Sequence, residues 1–326
     1  MSKATGWENR IGRRLRLRDL HFLFAVVQSG SMGKAAGHLG VSQPVVSEAI
    51  AGLEATIGVR LLDRSSRGVE ATPYGRALLK RSQIAFDELR QGIKDIEFLS
   101  DAGEGEVRIG CSESISAGIL APVIECMSRQ YPRIVFHVAP VNTLTPQLEF
   151  PELRERKLDI ILARLVKPFG EFRFDDDLGV EHLFDDDLLV VAGAHSHWAT
   201  RRKIDLSELV DEPWIIPPGS WNNLVVEESF RAIGLKMPKI AVETFSVALR
   251  HQLLVGGRYI GTIPRSMLLA KIKSPSLKVL PIGLPKRPWP VAAVILKNRT
   301  LSHAAELFIK QAREIARAME VQFKAR

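Results

Sequence analysis

The clearest pattern of hydrophobic and polar positions lies between Ser31 and Arg67 and predicts two short helices joined by a tight turn. Gly40 supplies the turn, because a residue without a Cβ enters the left-handed region at little cost. Ser42 is the predicted N-cap of the second helix, with Pro44 in its first turn. The inward face of that helix consists of apolar residues at helical spacing, namely Val46, Ile50, Leu53 and Ile57.

The polar side of the second helix is the part that indicates chemistry. Gln43 and Ser47 fall away from the apolar face and lie towards its N-terminal end. A helix that offers an amide and a hydroxyl there suits insertion into the major groove of DNA. A small basic loop with Arg64 and Arg67 follows. The sequence therefore predicts a DNA-binding helix-turn-helix followed by a wing.

Two further helices are predicted around this pair. The first covers Leu17–Ser29, and a long one is capped by Thr72 and begins at Pro73. The long helix carries a short apolar seam at Leu79, Ser82, Phe86, Leu89, Ile93 and Ile96. Such a seam can pack on its own domain, but a long helix between two domains has little to bury against except its twin. The pattern therefore favours a dimer, and residues 101–105 are expected to form a flexible joint after the helix.

From Glu106 onwards, strand-like runs alternate with helical patterns. Strands are predicted at residues 107–110, 134–138, 159–163, 188–191, 214–216, 240–242, 259–264 and 291–296. Helices are predicted at residues 117–130, about 148–157, 225–233, 247–255 and 302–319. This alternation is typical of mostly parallel sheets whose faces are covered by helices.

Length, charge and cysteine content narrow the class of protein. A chain of 326 residues suggests two or three domains, and a net charge of +8 favours a polyanionic partner. Cys111 and Cys126 cannot form a disulfide framework and fit a reducing cytosol. Without an apolar signal segment or a stretch as long as a membrane span, the expected location is cytoplasmic, with no membrane partner. Arginines crowd the start of the first helix, where phosphate contact is expected: Arg10, Arg13, Arg14, Arg16 and Arg18.

Specific motifs add a family resemblance to this pattern. The run A-A-x-x-L-x-V-S-Q-P-x-V-S-x-x-I-x-x-L-E at residues 35–54 resembles the LysR-type transcriptional regulators. The resemblance continues at residues 57–64, 72, 75, 107–110, 158–160, 183–185, 211–215 and 255–261. The chain departs from the family at Glu48 and Ala49, where its members commonly carry a basic or polar residue.

The resemblance implies a multidomain fold: an N-terminal all-α winged helix-turn-helix, a long linker helix, and a C-terminal two-lobed α/β effector domain like a periplasmic binding protein. The expected DNA-binding domain covers residues 1–72, the linker or dimerisation helix 73–103, and the effector-binding domain 104–326. Lobe I is expected at about 104–166 plus 289–326, and lobe II at about 181–282. The chain would cross between the lobes near residues 166–181 and 282–289.

In such folds, ligands bind outside the carboxyl ends of strands, in the crevice between the lobes. That rule selects six candidate effector-binding residues: Ser112, Ser114, Thr143, Arg164, Ser220 and Ser246. Hydroxyls and free N–H groups at helix starts can hold a carboxylate or another anion. The resemblance supports Ser114 and Ser246 as positions comparable to the family's effector contacts. The alternative is that the serines only cap helices.

The predicted function is that of a sequence-specific DNA-binding transcriptional regulator of the LysR type, modulated by a small-molecule effector bound between the two lobes. The predicted DNA-binding residues are Ser31, Lys34, Ser42, Gln43, Pro44, Ser47, Arg64 and Arg67. Among them, Gln43 and Ser47 are expected to read base edges, while Lys34, Ser42 and the two arginines hold phosphates.

One such helix reads too few base pairs to find a promoter, so a symmetric dimer on a pseudopalindrome is expected, and the resemblance implies a tetramer. The expected partners are double-stranded promoter DNA, the effector and further copies of this chain, with RNA polymerase as another candidate.

Two other classes of protein fit the sequence less well. A solute-binding protein would explain the two-lobed region but leave residues 1–100 without a role. An enzyme is disfavoured because no nucleophile and base, paired-carboxylate site or phosphate-binding glycine loop is recognisable. No cofactor is expected. No metal is expected either, because His195 and His197 have no cysteine or carboxylate placed beside them.

Overall fold

The computed structural model describes residues 14–65, 68–100, 103–141, 150–165, 176–269, 276–285 and 289–324. The chain divides into two compact units, one ending at Arg90 and the other beginning at Gln91. We call the first unit the head and the second the body.

The head is built on three short helices and a hairpin. Its elements are α1 (Leu17–Ser29), α2 (Met32–Leu39), α3 (Gln43–Ile57), β1 (Leu62–Ser65), β2 (Gly68–Ala71) and the first part of α4 (Pro73–Ser100). Gly40 ends α2 with φ 65°, in the left-handed region that the turn requires. Val46, Ile50 and Leu53 are buried on the inner face of α3, and Ile57 is half-buried. The local apolar pattern therefore predicts both helices and the turn correctly.

The predicted basic wing is a β-hairpin. Strands β1 and β2 pair antiparallel, with Arg64 opposite Val69, so the head is not entirely α-helical. The Glu54 carboxylate of α3 accepts hydrogen bonds from the backbone N–H groups of Leu61, at 2.7 Å, and Leu62, at 3.2 Å. These bonds attach α3 to the first strand of the wing, because they satisfy the backbone donors of Leu61 and of Leu62, the first residue of β1.

The long helix α4 begins as predicted and changes character along its length. The Thr72 hydroxyl accepts a hydrogen bond from the N–H of Gly75 at 3.0 Å and donates one to the Arg60 carbonyl at 2.9 Å. Of the predicted seam, the first half packs within the head, since Ser82 is buried and Leu79 and Phe86 are half-buried. The second half is exposed at Leu89, Ile93 and Ile96.

The body contains two five-stranded sheets. The first has the strand order β4-β3-β5-β12-β6, formed by β3 (Glu104–Cys111), β4 (Arg133–Pro140), β5 (Ile160–Arg164), β6 (Leu178–Asp186) and β12 (Trp289–Leu296). Its helical segments are α5 (Glu113–Ile115), a π turn (Ser116–Leu120), α6 (Ala121–Gln130), α7 (Pro151–Arg154) and α11 (His303–Lys324). Apolar residues of α6 and α11, such as Val123, Met127 and Phe308, form a core with one face of this sheet.

The second sheet has the order β11-β7-β10-β8-β9. Its strands are β7 (Leu188–Gly193), β8 (Trp214–Ile216), β9 (Ile240–Glu243), β10 (Ile260–Pro264) and β11 (Leu277–Val279). Its helices are α8 (Trp221–Ala232), α9 (Val247–Val255) and α10 (Arg265–Leu269), besides two short 3₁₀ turns at His197–Thr200 and Leu206–Leu209. Trp214 and Phe230 are fully buried in its core, where their rings meet edge to face at 5.8 Å.

Two sequence expectations about the body are wrong. Both sheets are mixed rather than mostly parallel, because β12 pairs antiparallel with β5 and β6, and β7 pairs antiparallel with β10 and β11. Strand β6 pairs along the whole of β12 and therefore belongs to the first sheet. The first crossing is thus not near residues 166–181, and lobe II does not begin at about 181. The chain passes from the first sheet to the second at Asp187, between β6 and β7.

Candidate functional site

The N-terminal turn of α3 presents the predicted recognition residues. Gln43, Pro44 and Val45 are exposed, and Ser47 is half-buried, while Val46 between them is fully buried. This alternation fixes the orientation of α3 in the head, because the buried side chain is held in the core. The face that remains outside presents the Gln43 amide, the Ser47 hydroxyl and the small apolar surface of Pro44 and Val45.

The first turn of α2 lies beside Gln43. The Ser31 hydroxyl is the N-cap of α2 and accepts a hydrogen bond from the N–H of Lys34 at 3.5 Å. A Cβ placed on Gly33 would stand 3.4 Å from Gln43 Oε1 and 3.9 Å from Ser31 Oγ. The absence of a side chain at Gly33 therefore leaves room for the Gln43 amide next to the start of α2. Lys34 is exposed in this region.

The other predicted DNA-binding residues have different surroundings. Ser42 occupies the N-cap position of α3 as predicted, but its hydroxyl makes no capping hydrogen bond and its side chain is exposed. Arg64 is exposed on β1. Arg67, together with Arg10 and Arg13, lies outside the described residues.

In the body, a cavity of about 410 Å³ opens between residues of the two sheets. It lies at the carboxyl ends of strands from both sheets, where ligand sites of α/β folds are expected. Its lining residues are Ser112, Glu113, Ser114, Pro140, Val141, Pro217, Ser220, Trp221, Asn222, Phe245, Arg250 and Pro264. We call this space the cleft.

Three of the six predicted effector residues line the cleft. The hydroxyls of Ser112 and Ser114 lie 3.3 Å apart beside α5. Ser220 is fully buried, and its hydroxyl donates to the Pro217 carbonyl at 2.7 Å and accepts from the N–H of Asn223 at 3.4 Å. Ser220 is therefore a helix cap whose hydroxyl already donates one hydrogen bond and accepts another. The hydroxyls of Ser112 and Ser114 face the cleft.

Of the remaining three predicted residues, Ser246 and Arg164 are described and are not among the residues that line the cleft. Ser246 caps α9, where its hydroxyl accepts from the N–H of Leu249 at 3.2 Å. Thr143 lies outside the described residues. Arg164 is buried at the end of β5, where Nη2 lies 2.8 Å from Asp186 Oδ2. Ser246 and Arg164 are thus held by hydrogen bonds within the protein, and their contact with a ligand stays a prediction.

The Arg164–Asp186 pair joins parts of both sheets. Asp186 ends β6 of the first sheet and accepts hydrogen bonds from the N–H of Ser266 at 3.0 Å and from its hydroxyl at 2.6 Å, at the start of α10 beside the second sheet. The guanidinium of Arg164 stacks 4.5 Å from the ring centre of Trp221, which lines the cleft. Burial lowers the pKa of Arg164, and the charge of Asp186 opposes that shift. Nη1 of Arg164 is buried without a hydrogen-bond partner.

Sequence reasoning missed Arg250 on α9. Its side chain is buried and lines the cleft, and both Nε and Nη1 are buried without hydrogen-bond partners. Burial lowers the pKa of Arg250, while the nearby charge of Glu113 acts in the opposite direction. A signal was available in the sequence, because Arg250 lies on the same face of α9 as the apolar residues Val247 and Leu254. A charged residue on an inward helix face requires an explanation.

Glu113 connects the two sides of the cleft. Its carboxylate oxygen Oε2 accepts a hydrogen bond of 2.9 Å from the N–H of Val247, the first residue of α9. Glu113 belongs to α5 beside the first sheet, and α9 packs beside the second. A carboxylate of the protein therefore already occupies the N-terminus of α9, where the positive end of the helix dipole favours an anion.

Three other observations limit the chemistry of the chain. Within the described ranges, no group of three or more histidine, cysteine, aspartate or glutamate side chains is arranged to hold a metal ion. Burial raises the pKa of the Cys111 thiol to about 11, which disfavours its reactive thiolate form. Across the same ranges, none of the helices has both the length and the apolar character that crossing a bilayer requires.

Comparisons with known proteins match both units. Residues 17–76 match the bacterial regulatory helix-turn-helix proteins of the lysR family, and residues 100–317 match the LysR substrate binding domain. The HTH-type transcriptional regulator TdcA of Escherichia coli K12 is 29% identical over 294 residues, covering 89% of each chain. The regulator GbpR of Azospirillum brasilense is 28% identical, covering 90% of this chain and 84% of its own.

The fold is also similar to solved structures. The crystal structure of CbnR, a LysR family transcriptional regulator, aligns with a TM-score of 0.57 at 19% identity, covering 92% of this chain and 99% of that one. Full-length CbnR in complex with its target DNA aligns with a TM-score of 0.51 at 20% identity, with the same coverage. Because the two matched families together span most of the sequence, this chain belongs to the LysR family of DNA-binding transcriptional regulators, with an N-terminal helix-turn-helix and a C-terminal effector-binding domain.

Proposed function

We propose that the N-terminal part of α3 lies in the major groove and that Gln43 and Ser47 contact base edges there. The observation that carries this proposal is the exposed face of α3, on which the Gln43 amide is outside while Val46 holds the helix in the core. Major-groove edges carry distinct donor and acceptor patterns, and glutamine can bind adenine with two hydrogen bonds. CbnR, which is similar in fold, has been crystallised with its target DNA.

Phosphate contacts are assigned to Lys34, Ser42, Arg64 and Arg67, with Ser31 and Pro44 next to them at the same surface. The unbonded hydroxyl of Ser42 and the exposed side chains of Lys34 and Arg64 support this assignment. Such contacts set affinity and register, whereas the base contacts set sequence.

We propose that the regulator binds DNA as a homodimer, and as a tetramer when two dimers associate. The support comes from α4, on which Leu89, Ile93 and Ile96 are 49%, 57% and 64% exposed at heptad-like spacing. A stripe of this kind is buried when two such helices pair. Two heads on one dimer would read the two halves of a pseudopalindrome. RNA polymerase is a further proposed partner at the promoter, and the cytoplasm is the proposed location of the protein.

The cleft is the proposed effector site. Its size falls within the range of small-molecule sites, and it is bordered by both sheets. An effector that binds one arrangement of the two lobes better than another shifts the balance between them by its difference in affinity. The Ser112 and Ser114 hydroxyls are proposed to contact the effector. Ser220 is proposed to form part of the cleft wall, and Ser246 and Arg164 are proposed to support the residues that line it.

The sharpest test of this function is Gln43→Ala in the full-length chain. DNA sites are first selected from a random duplex library with the wild-type protein, and binding is then measured to a selected site and to a scrambled one. We expect Gln43→Ala to weaken binding to the selected site by about 1–3 kcal/mol, and binding to scrambled DNA far less.

Gln130→Ala is the matched control, because Gln130 is an exposed glutamine of α6 in the body, outside the unit that carries the proposed DNA-binding residues. It should leave the ratio of the two affinities unchanged. Equal losses on both DNA molecules for Gln43→Ala would contradict base reading by this residue. Failure to select any site would contradict sequence-specific binding as a whole.

A further inference from the structure

We infer that the cleft takes an organic monoanion, a carboxylate attached to an apolar body, and that Arg250 binds its charge. The inference rests on the proposed function only in treating the cleft as the effector site. It adds the chemical class of the effector and the residue that determines that class.

The first observation is the state of Arg250. Its side chain is 94% buried by relative exposure, since only 6% remains accessible, and neither Nε nor Nη1 has a hydrogen-bond partner. Arginine stays charged in proteins and cannot avoid the cost of burial by losing its proton. Among the described residues, no carboxylate lies within 4 Å of this guanidinium. A buried cation with free donors at a cavity wall is a binding site for an anion from outside the chain.

The second observation is the apolar character of the space on both sides of Arg250. A second cavity of about 340 Å³ shares Glu113 and Arg250 with the cleft. Its walls are mostly aliphatic, with Val247, Leu254, Ile263, Met267, Leu268 and Leu277 among them. In the cleft itself, Val141, Trp221 and Phe245 provide apolar surface. A hydrated inorganic anion would leave these walls unused, whereas an apolar body attached to the carboxylate would cover them.

The third observation sets the number of charges on the ligand. Arg164 is the other buried arginine near Trp221, and its charge is already paired with Asp186. Glu113 adds a negative charge at the cleft, because its carboxylate is fixed on the N–H of Val247. A second anionic group on the ligand would therefore meet a paired arginine or the Glu113 carboxylate. A ligand with one negative charge therefore matches Arg250, the one cationic side chain among the described residues that line the cleft.

Glu113 thus opposes the binding of an anionic ligand at Arg250. Its carboxylate accepts a hydrogen bond from Val247 at the N-terminus of α9, three residues before Arg250 on the same helix. A ligand carboxylate at Arg250 would be repelled by Glu113 while being attracted by the guanidinium. Substitutions of these two residues should therefore change ligand affinity in opposite directions.

The test measures binding of three carboxylates, benzoate, phenylacetate and hexanoate, and of their neutral amides to the full-length protein by calorimetry. We expect at least one acid to bind and to exceed its amide by tenfold or more in affinity. Arg250→Gln should lower the affinity for that acid by about tenfold to a hundredfold, which corresponds to the loss of a charged hydrogen bond, and should remove the preference over the amide. Arg231→Gln is the matched control, since Arg231 is an exposed arginine of α8 paired with Glu227.

Glu113→Gln provides the second variant, which keeps the assignment testable if Arg250→Gln does not fold. Its amide oxygen can still accept the hydrogen bond from Val247, but it no longer repels an anion, so affinity for the acid should rise severalfold. The assignment is overturned if no acid binds, if amides bind as tightly as acids, or if Glu113→Gln fails to strengthen acid binding. Amides that bind the wild type and change its affinity for selected DNA would overturn the anionic class while leaving the effector role of the cleft intact.

Discussion

The predicted recognition face of the head is the exposed N-terminal side of α3. This face and the cleft of the body differ in how their polar groups are satisfied. On α3, the Gln43 side chain and the Ser42 hydroxyl are exposed, so water satisfies them when DNA is absent. In the body, Arg250 at the cleft and Arg164 behind Trp221 each keep buried nitrogen atoms without a partner. The polar groups named on the head are therefore satisfied by water without a ligand, whereas the body contains buried polar groups that lack a partner until something binds or moves.

This difference bears on how a ligand bound in the body would control the DNA-binding head. A buried polar group without a partner costs about 1–3 kcal/mol, and more when it is charged. Allosteric coupling energies are of the same size, about 1–3 kcal/mol. A ligand carboxylate that contacts Arg250 in one arrangement of the lobes and not in another would therefore change the balance between them by an energy of this size.

The largest expected effect comes from breaking the buried pair behind the cleft. Asp186→Ala removes the acceptor for Arg164 and for both donors of Ser266, and leaves a buried guanidinium without a counter-charge. We expect the body to lose about 3–5 kcal/mol of its free energy of unfolding. Urea unfolding followed by tryptophan fluorescence reports on the body, because four of the five tryptophans lie at positions 198, 214, 221 and 289.

Asp185→Ala is the control for this measurement. Asp185 is the preceding residue, it is exposed, and it contacts only the exposed ring of His182 at 3.0 Å among the bonds described. Its loss should change the free energy of unfolding by no more than about 0.5 kcal/mol. Similar losses for both variants would mean that the burial of Asp186 does not distinguish it from its neighbour.

A smaller effect is expected from the bond that attaches the recognition helix to the wing. Glu54→Ala removes the acceptor for the N–H groups of Leu61 and Leu62, which are then left without that partner. We expect the head to lose about 1–3 kcal/mol of its free energy of unfolding. Amide hydrogen exchange of residues 61 and 62 measures the loss locally, and both should exchange faster.

Glu48→Ala separates this effect from the general loss of a glutamate on α3. Glu48 is exposed on the same helix and has no hydrogen bond among those described. Exchange at residues 61 and 62 should therefore stay as in the wild type. If Glu54→Ala also leaves hydrogen exchange at residues 61 and 62 unchanged, the Glu54 carboxylate does not stabilise the start of the wing, and other contacts fix the position of α3.

The two regions also differ in how far the sequence predicts them. In the head, the turn at Gly40 and the inward face of α3 follow from residues within a few positions of one another, because helix periodicity and capping are local. Several elements of the body are equally local, and β8 and α9 have the predicted bounds. For this reason, local sequence patterns predict the fold class and the helix α3.

The parts that were missed depend on contacts between distant residues. Strand β6 pairs with β12, more than a hundred residues further along the chain, and its own sequence mixes apolar residues with a run of charged ones. The position of Arg250 in the cleft depends on where α9 lies relative to α5. The sequence leaves open whether serines at strand ends contact a ligand or cap helices, and only the folded geometry shows that the hydroxyls of Ser220 and Ser246 cap helices.

The smallest expected effect tests whether the wing belongs to the recognition face. Arg64→Ala should reduce the slope of log affinity against log salt concentration by about 0.9 for each copy bound, because one phosphate contact releases about that many counterions. Binding to selected DNA is measured between low and physiological salt. Arg81→Ala, an exposed arginine of α4, is the control and should leave the slope unchanged. An unchanged slope for Arg64→Ala would exclude a phosphate contact by this residue and would leave Arg67 as the proposed phosphate contact of the wing.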